Sequence, residues 1–223
     1  MLLHSNFIGF AEPLAKHVFT QLVQSIKELH SRGYAHLDIR HENLHFNANC
    51  NLILTNFINA EKPGKDGLTS CSKITMEYAP PEARQANKKQ LNKYNAFKAD
   101  IYQMGVVIYS AMTNVYPQFG EQSLMKKNLK ELNLTDELSN LILKMISPNP
   151  EDRPTADEIL ADPWFSLTSH PCSSKLQIGP LEFKELIVYI REQDLQRVEV
   201  EDRLSDGAEN SLIKVGEILC GKK

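Results

Sequence analysis

Residues 98–113 read KADIYQMGVVIYSAMT, and this run is apolar on almost every side of a helix. It is too short for a bilayer span, which needs about 20 consecutive apolar residues. A helix that is apolar all round is buried at the centre of a domain, where other elements cover it. The sequence therefore predicts a mainly α-helical domain built around residues 98–113.

Three other segments have the features of helices that would cover this central helix. Glu12 to His30 and Thr135 to Ile146 carry apolar residues at spacings of three and four. Thr155 to Leu160 begins with a threonine that has a glutamate, Glu158, three residues on, which is the capping-box pattern. The predicted stripes consist of Leu14, Val18, Leu22, Ile26 and Leu29 in the first segment and of Leu138, Leu141, Ile142 and Met145 in the second.

One small hairpin is the only β-structure that the pattern predicts. The turn-forming run Asn47–Asn49 separates NLHF from NLILTNF, in which large apolar and β-branched residues dominate. Glu61–Ser72 is polar and contains glycines, so it predicts a mobile loop. Pro80 and Pro81 follow this loop and bar a helix from running through them.

The character of the chain changes after about Phe165. There the run SLTSHPCSSK, rich in Ser, Pro and Thr, predicts a linker. Residues 183–204 and a short segment around Leu219 have the spacing of amphipathic helices. We therefore expect a folded domain over residues 1–166, followed by a linker and a partly helical tail over residues 167–223.

Charge, hydropathy and cysteine spacing narrow the classes of function. A formal net charge of −3 argues against a nucleic-acid interface. The chain has neither an apolar segment long enough for a membrane span nor an N-terminal secretion signal, so we expect no membrane partner. The four cysteines are scattered without a C-x-x-C pair, which favours reduced thiols and a cytoplasmic protein.

Residues 36–46, HLDIRHENLHF, fit two unrelated chemistries. HENLH matches the H-E-x-x-H signature of zinc hydrolases, which needs His41 and His45 one helical turn apart and Glu42 to activate a metal-bound water. Four asparagines between residues 43 and 51 disfavour that helix. No pattern for a third zinc ligand follows, so a zinc hydrolase remains a remote alternative.

The other chemistry draws on motifs along much more of the chain. GYAHLDIRHENL resembles the catalytic loop H-R-D-L-K-x-x-N, and LILTNF stands where the D-F-G motif follows it. ITMEYAPPEA, KADIYQMGVVIYSAMT and RPTADEILADPWF resemble the end of the activation segment, the central helix and the closing segment of the same family. From about Leu14 to Phe165 the chain thus resembles the C-terminal lobe of eukaryotic Ser/Thr protein kinases, especially the calmodulin-dependent and SNF1-like group. The resemblance implies a helical bundle with a small β-hairpin.

This resemblance implies roles in ATP chemistry for four residues. Asp38 matches the aspartate that accepts the proton of the substrate hydroxyl, and Arg40 stands where these kinases carry a lysine. Asn43 matches the asparagine that holds a magnesium ion. Asn56 replaces the D-F-G aspartate, and a neutral amide is a poorer ligand for Mg²⁺ than a carboxylate. We therefore expect Asn43 and Asn56 to form a weak magnesium site.

Four other matched positions are architectural. The resemblance implies that His36 supports the turn around Asn56, that Asp100 anchors the catalytic loop, and that Glu82 pairs with Arg153. No Gly-rich loop and no V-A-I-K-like strand precede these motifs. The expectation is therefore that the N-terminal lobe, which covers ATP in this family, is absent from the chain.

Two functions agree with a sequence that keeps some residues of the kinase motifs and alters others. The first is a catalytically impaired, pseudokinase-like scaffold or regulator, which would bind a protein partner and need no cofactor. The second is an active Ser/Thr protein kinase, which would transfer the γ-phosphate of Mg–ATP to hydroxyls of a protein substrate. In either case we expect the macromolecular partner to be a protein.

Overall fold

The central helix is the organising element of the fold. The computed structural model describes residues 12–46, 51–70, 74–89, 93–118, 120–132 and 134–166. Helix α3, Ala96–Thr113, contains the predicted central segment, and every residue from Ala99 to Met112 is buried. The predicted tail, residues 167–223, lies outside the described residues, as do all four cysteines.

Six further helices accompany α3 in the described residues, which are mostly helical. Helix α1, Glu12–Ser31, packs against α3 and α6, and α5 packs against α3, α4 and α7. The other bounds are Pro81–Lys89 for α2, Gln122–Glu131 for α4, Asp136–Met145 for α5, Ala156–Leu160 for α6 and Pro163–Ser166 for α7.

The two amphipathic helices and the capping box predicted from the sequence agree with the structure. Val18, Leu22, Ile26 and Leu29 of the α1 stripe are buried, whereas the side chain of Leu14 lies outside the described residues. The predicted α5 stripe is also buried. Thr155 accepts the backbone N–H of Glu158 at 3.2 Å, and the Glu158 carboxylate accepts the backbone N–H of Thr155 at 2.7 Å.

Helices α3 and α5 approach each other closely at Gly105. A Cβ atom at this position would lie 2.7 Å from Cγ2 of Ile146 and 2.8 Å from Cβ of Met145. Real Cβ atoms do not approach other atoms so closely, so glycine is the residue that lets the two helices meet here.

The predicted hairpin is present as β1, Leu44–Phe46, and β2, Leu52–Leu54. The two strands pair antiparallel with Leu44 opposite Leu54 and Phe46 opposite Leu52. The predicted turn Asn47–Asn49 lies outside the described residues.

The expectation of a plain loop over Glu61–Ser72 is wrong in part. Leu68–Thr69 forms a strand, β3, which pairs antiparallel with β4, Tyr94–Asn95, and Glu61 makes an isolated bridge with Ala35. Strands of two residues are too short to show an alternating pattern, so only their tertiary partners reveal them.

Helices α2 and α7 were not expected from the sequence. Helix α2 begins at Pro81, which agrees with the prediction that no helix runs through the prolines, because proline suits the first position of a helix. Its sequence, PEARQANKK, has no apolar stripe. Across the described residues, the helices fall short of the length or apolarity needed to cross a lipid bilayer.

Candidate functional site

Residues 36–39 lie against α3, whose polar side chains hold their backbone in place. The Asp100 carboxylate accepts the backbone N–H groups of His36 at 2.8 Å and Leu37 at 2.7 Å. Gln103 accepts the backbone N–H of Ile39 at 3.0 Å and donates to the Leu37 carbonyl at 3.3 Å. These bonds fix Leu37 in the left-handed region, at a φ of 62°, although it is neither glycine nor asparagine.

His36 connects this loop to the segment that follows β2. Its Nε2 lies 3.0 Å from the Thr55 carbonyl and donates to it, whereas Nδ1 accepts the backbone N–H of Asp38 at 3.2 Å. One nitrogen donates and the other accepts, so the imidazole is neutral. Burial lowers the pKa of His36 against the opposing effect of the Asp100 charge, in agreement with the neutral form.

Asp38 is almost completely buried, and it contacts side chains of its own loop and of the segment that contains Thr75. The Asn43 amide donates to the Asp38 carbonyl at 2.7 Å and to Oδ2 of its side chain at 3.0 Å. The Thr75 hydroxyl donates to Oδ1 at 3.1 Å. Nε of Arg40 lies 3.5 Å from Oδ1 and forms an ion pair with it, but the geometry is not that of a hydrogen bond. Nη1 of Arg40 donates to Thr75 Oγ1 at 3.4 Å.

Asn56 completes this group of side chains from the turn after β2. It occupies the left-handed region at a φ of 61°, which asparagine tolerates better than most residues. Its amide Nδ2 lies 3.1 Å from Oδ1 of Asn43 and 3.4 Å from Oδ2 of Asp38. The structure therefore brings together Asp38, Arg40, Asn43 and Asn56, the four residues that the resemblance singled out for ATP chemistry.

The side chains at this site are turned towards one another, and not towards a common position for a magnesium ion. Mg²⁺ prefers carboxylate oxygens in octahedral geometry, and this group offers one carboxylate, from Asp38. The amide of Asn56 turns its N–H groups, and not its oxygen, towards Asp38 and Asn43. Within the described residues, no three or more His, Cys, Asp or Glu side chains are grouped so as to hold a metal.

The zinc-hydrolase alternative is wrong for this stretch. HENLH is not a helix, because His41–Asn43 forms a single 3₁₀ turn and Leu44–Phe46 forms β1. His45 therefore stands opposite Ile53 in the hairpin. Nε2 of His41 lies 2.8 Å from Ser110 Oγ and is engaged there.

The predicted architectural pair is formed, with the Arg153 side chain fully buried and the Glu82 side chain 20% exposed. The guanidinium of Arg153 donates to both oxygens of Glu82, at 2.6 and 2.9 Å. It also lies 4.7 Å from the ring centroid of Tyr102, in the geometry of a cation–π contact. Glu82 is the second residue of α2, so this pair joins the start of α2 to the segment before α6.

Three residues that hold the loop were missed in the sequence analysis, two of which hold it by direct contact and one of which, His30, acts through Asp100. Gln103 has a visible signal, because it is a polar residue three positions after Asp100 in a mostly apolar helix. Thr75 lies within the ITMEYAPPEA motif but was not assigned a contact with Asp38. His30, which lies 2.8 Å from Asp100, is 70 residues away in the chain, and no local pattern points to it.

We expect His41 to make the stability of the protein pH-dependent. Burial lowers the pKa of His41 to about 4. Nε2 of the ring lies 2.8 Å from Ser110 Oγ on α3, and the Ser110 hydroxyl donates to the Val106 carbonyl at 2.7 Å. The unfolded chain takes up this proton near pH 6.5, so the free energy of unfolding should fall by about 1–3 kcal/mol as the pH drops from about 6.5 to 4. His41→Gln keeps the hydrogen bond without the titration and should flatten that fall, as measured by urea unfolding at several pH values. Equal pH slopes for the two proteins would contradict the expectation.

Comparison with known proteins gives matches to one family. The model of the protein kinase domain matches residues 2–165. CBL-interacting protein kinase 30 of Oryza sativa subsp. japonica is 32% identical over 173 residues, which cover 73% of this chain and 35% of that protein. CBL-interacting serine/threonine-protein kinase 15 of Arabidopsis thaliana is 30% identical over 69% of this chain and 38% of its own length.

A relative from outside the plants belongs to the same family. The probable serine/threonine-protein kinase MARK-A of Dictyostelium discoideum is 30% identical over 209 residues, which cover 90% of this chain and 18% of that protein. The chain thus spans little more than a third, or less, of the length of these curated relatives. The matched domain and the serine/threonine kinases among its relatives show that the chain belongs to the protein kinase family.

Proposed function

We propose that this chain acts as a catalytically impaired, pseudokinase-like scaffold or regulator. In this proposal residues 1–166 form a kinase C-terminal lobe, and residues 167–223 form a linker and a tail. The kinase-like loop keeps its supports, from Asp100, Gln103 and His36, while the group that would grip a cation is altered. A protein of this kind offers a kinase-shaped surface to a partner without transferring phosphate.

The observation that carries the proposal is the direction of the Asn56 amide. In kinases the residue at this position supplies a carboxylate to magnesium, which neutralises charge between the phosphates of the nucleotide. Here the side chain is neutral and donates N–H groups to Asn43 Oδ1 and Asp38 Oδ2. Binding a cation between these residues would require the amide to rotate and the two hydrogen bonds to break.

A second function, an active Ser/Thr kinase that uses Mg–ATP, is favoured by the position of Asp38. Its carboxylate is held between Asn43, Thr75 and Arg40, an arrangement suited to orienting a substrate hydroxyl. The relatives are named as kinases, and several as CBL-interacting, which supports the proposal of a protein partner or substrate for this chain. We also propose that the protein is cytoplasmic, because its cysteines are scattered and form no C-x-x-C pair.

We expect Mg–ATP to leave the melting temperature of the protein nearly unchanged. A ligand present at or below its Kd stabilises by no more than about 0.4 kcal/mol, so the shift at millimolar Mg–ATP should stay below about 2 °C. Thermal unfolding would be followed with ATP plus Mg²⁺, and with ATP plus EDTA as the reference. Transfer of labelled phosphate to a generic protein substrate would be assayed in parallel.

The matched control for this experiment is Asp38→Asn, which removes the remaining carboxylate of the group. If the unmodified chain transfers phosphate and Asp38→Asn abolishes that transfer, the second function is correct and the first is overturned. A clear stabilisation of the unmodified chain by Mg–ATP over ATP with EDTA would also contradict the first. No transfer and no metal-dependent shift support it.

A further inference from the structure

Three side chains at the candidate site satisfy one another without any outside group. Asn43 must turn its Nδ2 towards Asp38, because both the Asp38 carbonyl at 2.7 Å and its carboxylate oxygen at 3.0 Å are acceptors. The Oδ1 of Asn43 therefore faces the opposite way, towards Asn56 at 3.1 Å. An acceptor in that place needs a donor, and the amide of Asn56 supplies it.

The two hydrogens on Nδ2 of Asn56 match the two acceptors near it. One points at Oδ1 of Asn43, at 3.1 Å, and the other at Oδ2 of Asp38, at 3.4 Å. A carboxylate at position 56 has no hydrogen to give, so three acceptor oxygens would face one another there. Two of them would carry negative charge, and only a cation between them could make that arrangement stable.

The backbone holds Asn56 where this bridge forms. Thr55 donates to the Asn43 carbonyl through its backbone N–H at 2.9 Å and through its hydroxyl at 3.1 Å. The Thr55 carbonyl accepts from His36 at 3.0 Å. Because the residue before Asn56 is tied to the loop from two sides, the left-handed turn at Asn56 aims its side chain at Asp38 and Asn43.

We propose that the Asn56 amide takes the place of a cation and locks the turn after β2 to the loop of Asp38 and Asn43. The lobe then keeps one assembled loop arrangement whether or not metal or nucleotide is present. This inference deepens the proposed function, because a scaffold that is recognised through this loop needs it to hold one shape at all times.

The test compares the full chain with Asn56→Asp, Asn56→Leu and the control Asn140→Asp. Asn140 is an exposed residue of α5, so its variant makes the same amide-to-carboxylate change away from the site. In EDTA, Asn56→Asp should melt about 5–10 °C below the unmodified chain, and Asn140→Asp should melt within about 2 °C of it. Millimolar Mg²⁺ or Mn²⁺ should restore much of the loss for Asn56→Asp.

The leucine variant separates the bridge from the shape of the side chain. Asn56→Leu removes the Asn56 donor from Oδ1 of Asn43 and leaves Oδ2 of Asp38 with the Asn43 amide alone, so its melting temperature should be lowered equally in EDTA and in Mg²⁺. Hydrogen exchange at the Thr55 amide of the unmodified chain should be slow and the same with EDTA or Mg²⁺.

The proposal is overturned if Asn56→Asp melts at the same temperature as Asn140→Asp in EDTA, or if no divalent cation raises the melting temperature of Asn56→Asp. Metal-dependent exchange at Thr55 in the unmodified chain would overturn it as well. These results are independent of phosphate transfer. An active chain would refute the proposed function without changing the melting temperatures in EDTA. An inactive chain in which Asn56→Asp does not lower the melting temperature would refute the bridge alone.

Discussion

Replacing Glu82 by alanine is expected to lower the free energy of unfolding by about 3–5 kcal/mol, because the Arg153 guanidinium would stay buried without its counter-charge. Arg153 is 1% exposed, and both of its terminal nitrogens bind the carboxylate of Glu82. Urea unfolding followed by circular dichroism would measure the loss as a lower midpoint with an unchanged slope.

Glu131→Ala is the matched control for this loss. It also removes the acidic partner of an ion pair, since Glu131 lies 3.7 Å from Lys127 on α4, but both of these side chains are exposed. Exposed pairs contribute about 0–1 kcal/mol, so this variant should unfold almost like the unmodified chain. Equal losses for the two variants would show that the Glu82 pair is no stronger than a surface pair.

Removing both charges is not expected to restore stability here. Buried ion pairs can often be replaced by apolar residues at little cost, but Arg153 has further bonds. It donates to the carbonyls of Ser147 at 2.8 Å, Lys98 at 3.0 Å and Pro148 at 3.3 Å. The double variant Glu82→Ala, Arg153→Met leaves these carbonyls without their donor, so we expect it to remain less stable than the unmodified chain.

The parts of the fold that the sequence predicts are those in which burial leaves a periodic pattern. Helices α1, α3 and α5 bury a stripe or a whole surface, and their apolar spacing shows it. Helix α2 has no such stripe, because it is joined to the domain by the Glu82 ion pair and by small buried residues, Ala83 and Ala86. Strands β3 and β4 exist only as a pair, which no local window reveals.

At the site, the resemblance predicts which residues are neighbours, and only the structure shows how their side chains are oriented. Matching motifs identified Asp38, Asn43 and Asn56 as neighbours, and the structure brings them within hydrogen-bond distance. The direction of the Asn56 amide could not be predicted, because it depends on which face of Asn43 is already occupied by Asp38. The same is true of Thr75, whose contact with Asp38 depends on the path of a separate segment.

Replacing Asp100 by asparagine should lower the free energy of unfolding by about 3–5 kcal/mol, because hydrogen bonds to a buried charged group are the strong ones. The Asp100 carboxylate accepts the backbone N–H groups of His36 and Leu37 and the Nε2–H of His30, at 2.7 to 2.8 Å. An asparagine offers one acceptor oxygen, and its NH₂ would meet at least one of these donors. Urea unfolding would measure the loss.

Hydrogen exchange in residues 36–39 should show the effect of Asp100→Asn more directly than the free energy of unfolding does. Leu37 is held in a left-handed conformation that costs about 1–3 kcal/mol, and the Asp100 bonds oppose its relaxation. We therefore expect the His36 and Leu37 amides to exchange hydrogen much faster in Asp100→Asn than in the control Asp157→Asn, which alters an exposed pair with Lys27. Unchanged protection of these two amides in Asp100→Asn would show that another contact, and not Asp100, fixes the loop beneath Asp38.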